Sequence, residues 1–307
     1  MVLSVVWGYS MSIKLAVGIP VYNDSVFIER SVQNCIDMGY DYVVYLDDGS
    51  TDDSFDRLVE LTRGHSHIDI LRRKENSVSS NSGNRWEIVA EQCRTVNPDW
   101  IMTRATDEVL SHNAKGVLRE KIDALNSFGV NMVVFNYIHL WRSEWWYRVD
   151  SFWGGHHTIC MWKNDTGWKF KFGSGIHLGA HRPNSLEVKN IVHNINGSDS
   201  KDIVVVHYGM SSHDLLARKL DYQISTSLKI GKRAAGMSIT IPHPSGWQHI
   251  NGYKAAYEEN VNLEKVNQKW FSEPIPDVPA PEIKSLYKVV NKHSVRIADE
   301  YAKIYGR

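Results

Sequence analysis

The chain has 307 residues, with 35 Lys+Arg against 35 Asp+Glu and hence no formal net charge. A balanced charge supplies no global attraction for nucleic acid, while a 42% hydrophobic content is enough for a globular core in one large domain or two moderate ones. Three scattered cysteines, Cys35, Cys93 and Cys160, argue against a disulfide framework or a Cys-type zinc site and fit a reducing, cytoplasmic setting.

Met1 to Trp7 is apolar but short and lacks a basic start, so it reads as a leading segment rather than a signal peptide. Nothing in the chain approaches the roughly 20 apolar residues of a membrane span. Leu15 to Asn23 is the first expected strand, ended by Pro20, and Asp24 or Ser25 can cap the helix carrying Phe27, Ile28, Val32 and Ile36. Asp41 to Leu46 is the second strand. It is β-branched, aromatic and aliphatic, as a strand covered on both faces would be, and it stops abruptly in Asp47-Asp48-Gly49-Ser50. Phe55 to Arg63 is the second helix and Ile68 to Leu71 a short third strand. Ser77 to Asn84 is a polar loop, Arg85 to Cys93 a helix, and Asp99 to Arg104 a strand running into Ala105-Thr106-Asp107-Glu108. This alternation predicts an α/β fold with a mostly parallel sheet and helices on both faces. Beyond Glu108, a helix over Ala114 to Ser127, one long strand over Val130 to Leu140, a strand over Ile203 to His207 and a helix over Ser211 to Lys229 are expected. A Trp-rich stretch spans 141–172. Six prolines between Pro242 and Pro281 break up the last third, and Ile283 to Tyr305 reads as a final outer helix.

Two strands that end in acid pairs, Asp47/Asp48 and Asp107/Glu108, are the chemically informative feature. A ligand crevice in an open α/β sheet lies at the carboxyl ends of its strands. Carboxylates crowded there repel unless a cation or a donor-rich ligand lies between them. Hard oxygen ligands in an open cleft suit Mg²⁺ or Mn²⁺ bridging phosphates. The chain has no Gly-x-x-x-x-Gly-Lys loop and no Gly-x-Gly-x-x-Gly fingerprint, and the histidines at 156, 157, 177 and 181 lack the helical context of a zinc protease.

Val17-Gly18-Ile19-Pro20-Val21-Tyr22-Asn23, then Leu46-Asp47-Asp48-Gly49-Ser50-Thr51-Asp52, then Thr106-Asp107-Glu108-Val109-Leu110-Ser111 resemble, in order and spacing, the three landmarks of family 2 glycosyltransferases. The resemblance implies a GT-A fold, with a nucleotide-sugar half over 12–112, an acceptor half over 113–240 sharing one continuous sheet, and a Pro-interrupted, largely helical extension over 241–307. It implies inverting, metal-dependent transfer from a nucleotide-diphosphate sugar, a UDP-sugar first, to a glycan, lipid-linked or protein acceptor. Pro20 and Tyr22 match positions lining the base pocket, Asp48 with Asp47 the acid that accepts from base or ribose, and Arg85 a helix-start arginine near the nucleotide. Asp107 matches the acid that holds Mn²⁺ or Mg²⁺, with Glu108 as its neighbour or partner. Ala105 stands where many relatives carry the first acid of this motif.

In the second half, Arg148-Val149-Asp150 and His207-Tyr208-Gly209 are similar to elements of a bacterial subgroup. Asp150 is the candidate base, with Asp165 next, and an ion pair with Arg148 or Arg142 is the alternative role for Asp150. His207, which ends a buried strand, is a candidate metal ligand. Arg218 and Lys219 could neutralise a leaving diphosphate. Trp141, Trp145, Trp146 and Trp153 could pack on a sugar face or simply fill the core. Lys284, Lys288, Lys292, Arg296 and Lys303 allow a peripheral membrane contact, or a solvated helix face. Two rivals stand beside transfer: a non-catalytic nucleotide- or glycan-binding protein of the same fold, and a nucleotidyltransferase, for which residues 17–25 lack the basic, Gly-rich signature.

Overall fold

The computed structural model describes residues 13–74, 85–150, 160–164, 191–192, 195, 202–212, 214–215, 238–241, 248–251 and 261–281. Its first half alternates as the sequence predicts. β1 (Leu15–Val21), α1 (Ser25–Met38), β2 (Tyr42–Asp47), α2 (Ser54–Leu61), β3 (Ile68–Arg72), α3 (Arg85–Arg94) and β4 (Trp100–Thr103) follow in order. β1 lies between β2 and β4 and parallel to both, and β3 extends the sheet beyond β2. All seven residues of β1 are buried, because each face of the strand is covered by a different helix layer. Leu15, Val17, Ile19 and Val21 pack with Ile28, Val32 and Cys35 of α1 and Leu58 of α2. The opposite face, Ala16 with Val44 and Leu46 of β2, packs on Val89, Ala90 and Cys93 of α3. At Gly18 the approach is so close that an added Cβ would stand 2.7 Å from Val89 Cβ. α1 ends at Gly39, whose left-handed φ of 65° lets its N–H return to Ile36 O, a cap that any side chain would strain.

The second half departs from the expected single sheet. The run Val130 to Leu140 is two strands, β6 (Met132–Val134) and β7 (Asn136–Leu140), parted at Phe135. β6 joins the first sheet through β9 (Cys160–Lys163), which runs antiparallel to both β4 and β6, and β10 (Ile191–Val192) closes that sheet's edge. β7 instead enters a second, five-stranded sheet, in which β14 (Leu263–Lys265), β8 (Trp146–Arg148), β7, β11 (Val204–His207) and β5 (Glu108–Leu110) lie in that order. The odd-numbered face, Val133, Phe135 and Tyr137, stays in one core along the whole run. The even-numbered face changes neighbours: Met132 and Val134 pack with Ala16, Val44 and Val89, whereas Ile138 and Leu140 pack with Val109, Val204 and Val206. The run is divided where its even face passes from one sheet's cluster to the other's.

α4 (Leu118–Ser127) corresponds to the helix expected over Ala114 to Ser127, with a 3₁₀ turn at His112–Ala114 before it. The described part of the C-terminal extension is not helical. β14 pairs with β8, a 3₁₀ turn at Gln268–Trp270 follows, and 271–281 runs without a helix. Pro274, Pro276, Pro279 and Pro281 lack the N–H that a helix needs. A hairpin of β12 (Ser238–Ile241) and β13 (Gln248–Asn251) is also present. The outer helix expected over 283–305 and nearly all of the helix expected over 211–229 lie outside the described residues. Among the described residues no helix is long and apolar enough to cross a membrane.

Candidate active site

The carboxyl ends of β1, β2 and β4 open side by side, and the loops that leave them are tied together by side chains. Asn23, at a left-handed φ of 52°, reaches across with Oδ1 to accept from the N–H of Thr51 at 2.8 Å, while its own N–H donates to Ser50 Oγ at 3.0 Å. Asparagine is one of the few residues that adopts this conformation readily. The Tyr22-Asn23 and Asp48-to-Asp52 loops therefore form one wall. Pro20 still belongs to β1, opposite Leu46, so the strand ends one residue later than expected. Tyr22 is half-buried at its tip.

Asp47 and Asp48 are fully buried, and each has a cation on the end of β3. Arg72 Nε lies 3.3 Å from Asp47 Oδ2, and Arg73 Nη1 lies 3.6 Å from Asp48 Oδ1. Asp47 Oδ1 also accepts from the N–H of Ser50 at 3.1 Å, which fixes the turn. Arg85 is the first residue of α3, with its guanidinium 5.7 Å from the Trp86 ring.

Asp24 is the residue that sequence reading assigned only as a helix cap. It occupies the N-cap position, yet its carboxylate makes no cap bond and turns into the site. Oδ2 lies 3.1 Å from Thr106 Oγ1 and 3.5 Å from the N–H of Tyr22. Burial, and then the charge of Asp107, push its pKa up from 3.8 to about 6, against the pull of Thr106, Arg85 and the Tyr22 N–H.

The metal-type cluster is built where the two sheets meet. β5 runs antiparallel to β11 with Glu108 opposite His207, and β11 runs parallel to β7 with His207 opposite His139. The N–H of Tyr208 donates to Asp107 O at 2.8 Å, which holds Asp107 beside the end of β11. His207 Nε2 then lies 3.1 Å from Asp107 Oδ2, and ligand atoms of Asp107, Glu108 and His207 fall within 4.8 Å of one another. Residues 100 positions apart are thus brought together. Glu108 is also an anchor. Its Oε1 accepts from Tyr137 Oη at 2.5 Å and its Oε2 from the N–H of Ala105 at 2.6 Å. Arg104, fully buried, braces the same loop from below: its guanidinium donates to Glu108 O and lies 3.4 Å from Ala105 O, and it reaches Ser31 O at 3.3 Å and Cys35 Sγ at 3.0 Å on α1.

Asp150 is held in a bidentate ion pair with Arg148, which lies opposite His139 in the strand register. Arg148 Nε and Nη2 each donate at 2.7 Å, one to each carboxylate oxygen, and the N–H of Asn262 adds a contact at 3.3 Å. The Arg148 bonds hold the Asp150 pKa below the ordinary carboxylate range, more strongly than burial raises it. Trp141 is fully buried with the Arg148 guanidinium 4.9 Å from its ring, so it fills the core rather than offering a face to a sugar. Trp145 packs on Phe271. Asp165, Trp153, Arg218 and Lys219 lie outside the described residues.

A strand-end crevice lined by carboxylates, with an acid and an imidazole whose ligand atoms could share one point, is where an open α/β sheet binds a ligand. The family model described as Glycosyl transferase family 2 matches residues 16–173, about half of the chain, from β1 through β9. The chain belongs to glycosyl transferase family 2 and is a glycosyltransferase of the nucleotide-sugar type. Among solved structures it is similar to glucosyl-3-phosphoglycerate synthase from Mycobacterium tuberculosis in complex with Mn²⁺, UDP and glucosyl-3-phosphoglycerate, at 14% identity over 77% of this chain and 86% of that one, TM-score 0.40. The same synthase with Mg²⁺ and UDP matches at 15% identity over the same shares, TM-score 0.39. A further mycobacterial protein matches at 12% identity over 83% of this chain and 84% of that one, TM-score 0.36. No curated protein matches the chain.

Proposed function

We propose that the protein transfers a sugar, with inversion, from a nucleotide-diphosphate donor to a hydroxyl of a carbohydrate-containing acceptor, and that a divalent cation assists. The observation that carries this reading is the convergence of Asp107, Glu108 and His207 within 4.8 Å at the mouth of the crevice that holds Asp47, Asp48 and Tyr22. The donor set fits the ion: a carboxylate and an imidazole are acceptable to Mn²⁺, and Mg²⁺ would rely more on the carboxylate. Asp107 and His207 would hold it. Glu108 offers an oxygen to the same point while tying the loop to Tyr137 and Ala105. When bound, the cation neutralises charge that develops on the departing diphosphate.

The chain's own residues bind and orient. Pro20 and Tyr22 flank the base, Asp48 with Asp47 beside it accepts from base or ribose, and Arg72 and Arg73 pair with those acids and hold them in place. Arg85 adds positive charge on the side of Asp24. A UDP-sugar is the donor we favour. An inverting transfer needs a base at the acceptor hydroxyl. Asp150 is the sequence's first candidate, but a carboxylate with both oxygens held by Arg148 and a lowered pKa takes up a proton poorly. We assign Asp150 to fixing Arg148 and leave the base to another carboxylate.

The test is calorimetric titration with UDP, GDP, dTDP and CDP, each with and without Mn²⁺. One nucleotide should bind and strengthen with metal, and Asp107→Ala should weaken the metal-dependent part at least about tenfold. Metal-independent binding, unaltered by Asp107→Ala, would overturn the assignment.

A further inference from the structure

His139 has no place in the reading above, yet it is the residue that His207 touches on its inner side. It is 4% exposed, on β7, and the strand register sets it directly opposite His207. The two Nδ1 atoms lie 2.9 Å apart, with the rings edge to face at 90°. Tyr137, two residues earlier on the same face of β7, has its ring 4.5 Å from His139 and 5.4 Å from His207, and its hydroxyl ends on Glu108. The imidazole of His139 is therefore packed between the rings of Tyr137 and His207.

We propose that His139 is a positioning residue for the metal site, one that selects the tautomer and ring orientation of His207. The inference rests on the reading of Asp107 and His207 as metal ligands. A hydrogen bond between two Nδ1 atoms needs one proton between them. If His207 is to present a lone pair on Nε2, its own proton must sit on Nδ1 and be donated to His139 Nδ1. His139 then carries its proton on Nε2. With Nε2 of His207 donating instead to Asp107 Oδ2, the same pair is satisfied by the reverse arrangement: His139 Nδ1–H donates to His207 Nδ1. Each arrangement holds two protons on the two rings. His207 can pass from partner of Asp107 to ligand with no net loss of protons from the pair. A residue at 139 without an acceptor at the Nδ1 position would leave His207 Nδ1–H buried without this partner and favour the tautomer that cannot bind.

Binding of Mn²⁺ to the full chain, followed by the electron paramagnetic resonance signal of the free ion, tests this without reference to activity. His139→Leu should weaken Mn²⁺ about 10- to 100-fold. His139→Asn, whose amide oxygen falls near the Nδ1 position, should stay within about threefold of wild type. His139→Gln is a second polar variant against loss of folding; its amide reaches toward the Nε2 position, and it should resemble Leu. Urea midpoints establish that each variant is folded. Wild-type affinity in both Leu and Gln variants would overturn the inference, as would Asn binding as weakly as Leu. Failure of wild type itself to bind Mn²⁺ would instead overturn the metal reading, and this inference with it.

Discussion

Asp24→Asn offers the most direct measure of how the site is strained. Thr106 Oγ1 lies 3.2 Å from Pro20 O and 3.1 Å from Asp24 Oδ2, yet a hydroxyl has one proton to give. The bond from Thr106 favours the ionised carboxylate, but burial and the charge of Asp107 outweigh it. Asparagine is of the same size and neutral at every pH. The Asp24 pKa is raised in the fold, from 3.8 to about 6. Its contribution to stability is therefore fully present below pH 3.8 and is lost as pH rises through about 6. At about 1.4 kcal/mol per unit, the two pKa values imply a penalty of about 1 kcal/mol at pH 4.5 and about 3 kcal/mol at pH 7.5.

Urea unfolding of wild type and Asp24→Asn in EDTA, without nucleotide, at pH 4.5, 5.5, 6.5 and 7.5, reads this directly. The stability gap should move in favour of the variant by about 2 kcal/mol between the lowest and highest pH, with most of the change below pH 6.5. Only the change with pH matters, because a constant offset absorbs any difference in packing. A gap that is flat across the range would refute the reasoning and return Asp24 to an ordinary ionised cap. A gap that widens in the opposite sense would mean that Arg85 outweighs burial and Asp107.

Two further predictions concern the framework. Gly18→Ala places a methyl 2.7 Å from Val89 and should cost about 1–3 kcal/mol in chemical unfolding, and Val89→Ala in the same chain should recover part of that loss if the clash is the cause. Asp150→Ala leaves the fully buried Arg148 without its bidentate partner and should cost about 3 kcal/mol, with Arg148→Met added to it restoring most of the stability. Its turnover, measured on folded protein, should keep the shape of the wild-type pH–rate profile. Loss of the acid limb would make Asp150 the base after all.

The first half of the fold was legible because its signals are local. A seven-residue apolar strand, a polar stop and an amphipathic helix repeat with little variation, and the acids stand where the strands end. The second half was harder for a physical reason. Val130 to Leu140 has the composition of one strand, and what divides it is that its even face packs in one cluster at Met132 and Val134 and in another at Ile138 and Leu140. All four are apolar, so the pattern does not report the change of neighbours. Asp24 was misread for a related reason: an acid before a helix looks the same whether it caps the helix or turns away. His139 left a fainter trace. It stands one residue before the end of β7, and His207 ends β11, so a second histidine near a strand end was a signal for pairing.

The joint between the two sheets holds the 104–108 loop in place without an acid at Ala105. A loop that projected into solvent would need its own carboxylates to gather a cation. Residues 104–108 are instead held on every side: Arg104 from α1, the N–H of Ala105 by Glu108, Thr106 by Pro20 and Asp24, Asp107 by Tyr208 and His207, and Glu108 by Tyr137. Most of these partners are outside the loop, on β1, α1, β7 and β11. Their combined effect is to fix Asp107 and His207 relative to each other before any ligand arrives, which lowers the ordering cost of binding. Adding a second acid at position 105 would crowd a site where Asp24, Asp107 and Glu108 already stand together, and where burial and Asp107 already push the pKa of Asp24 up to about 6. An alanine there is consistent with a site whose carboxylates come from two loops rather than one.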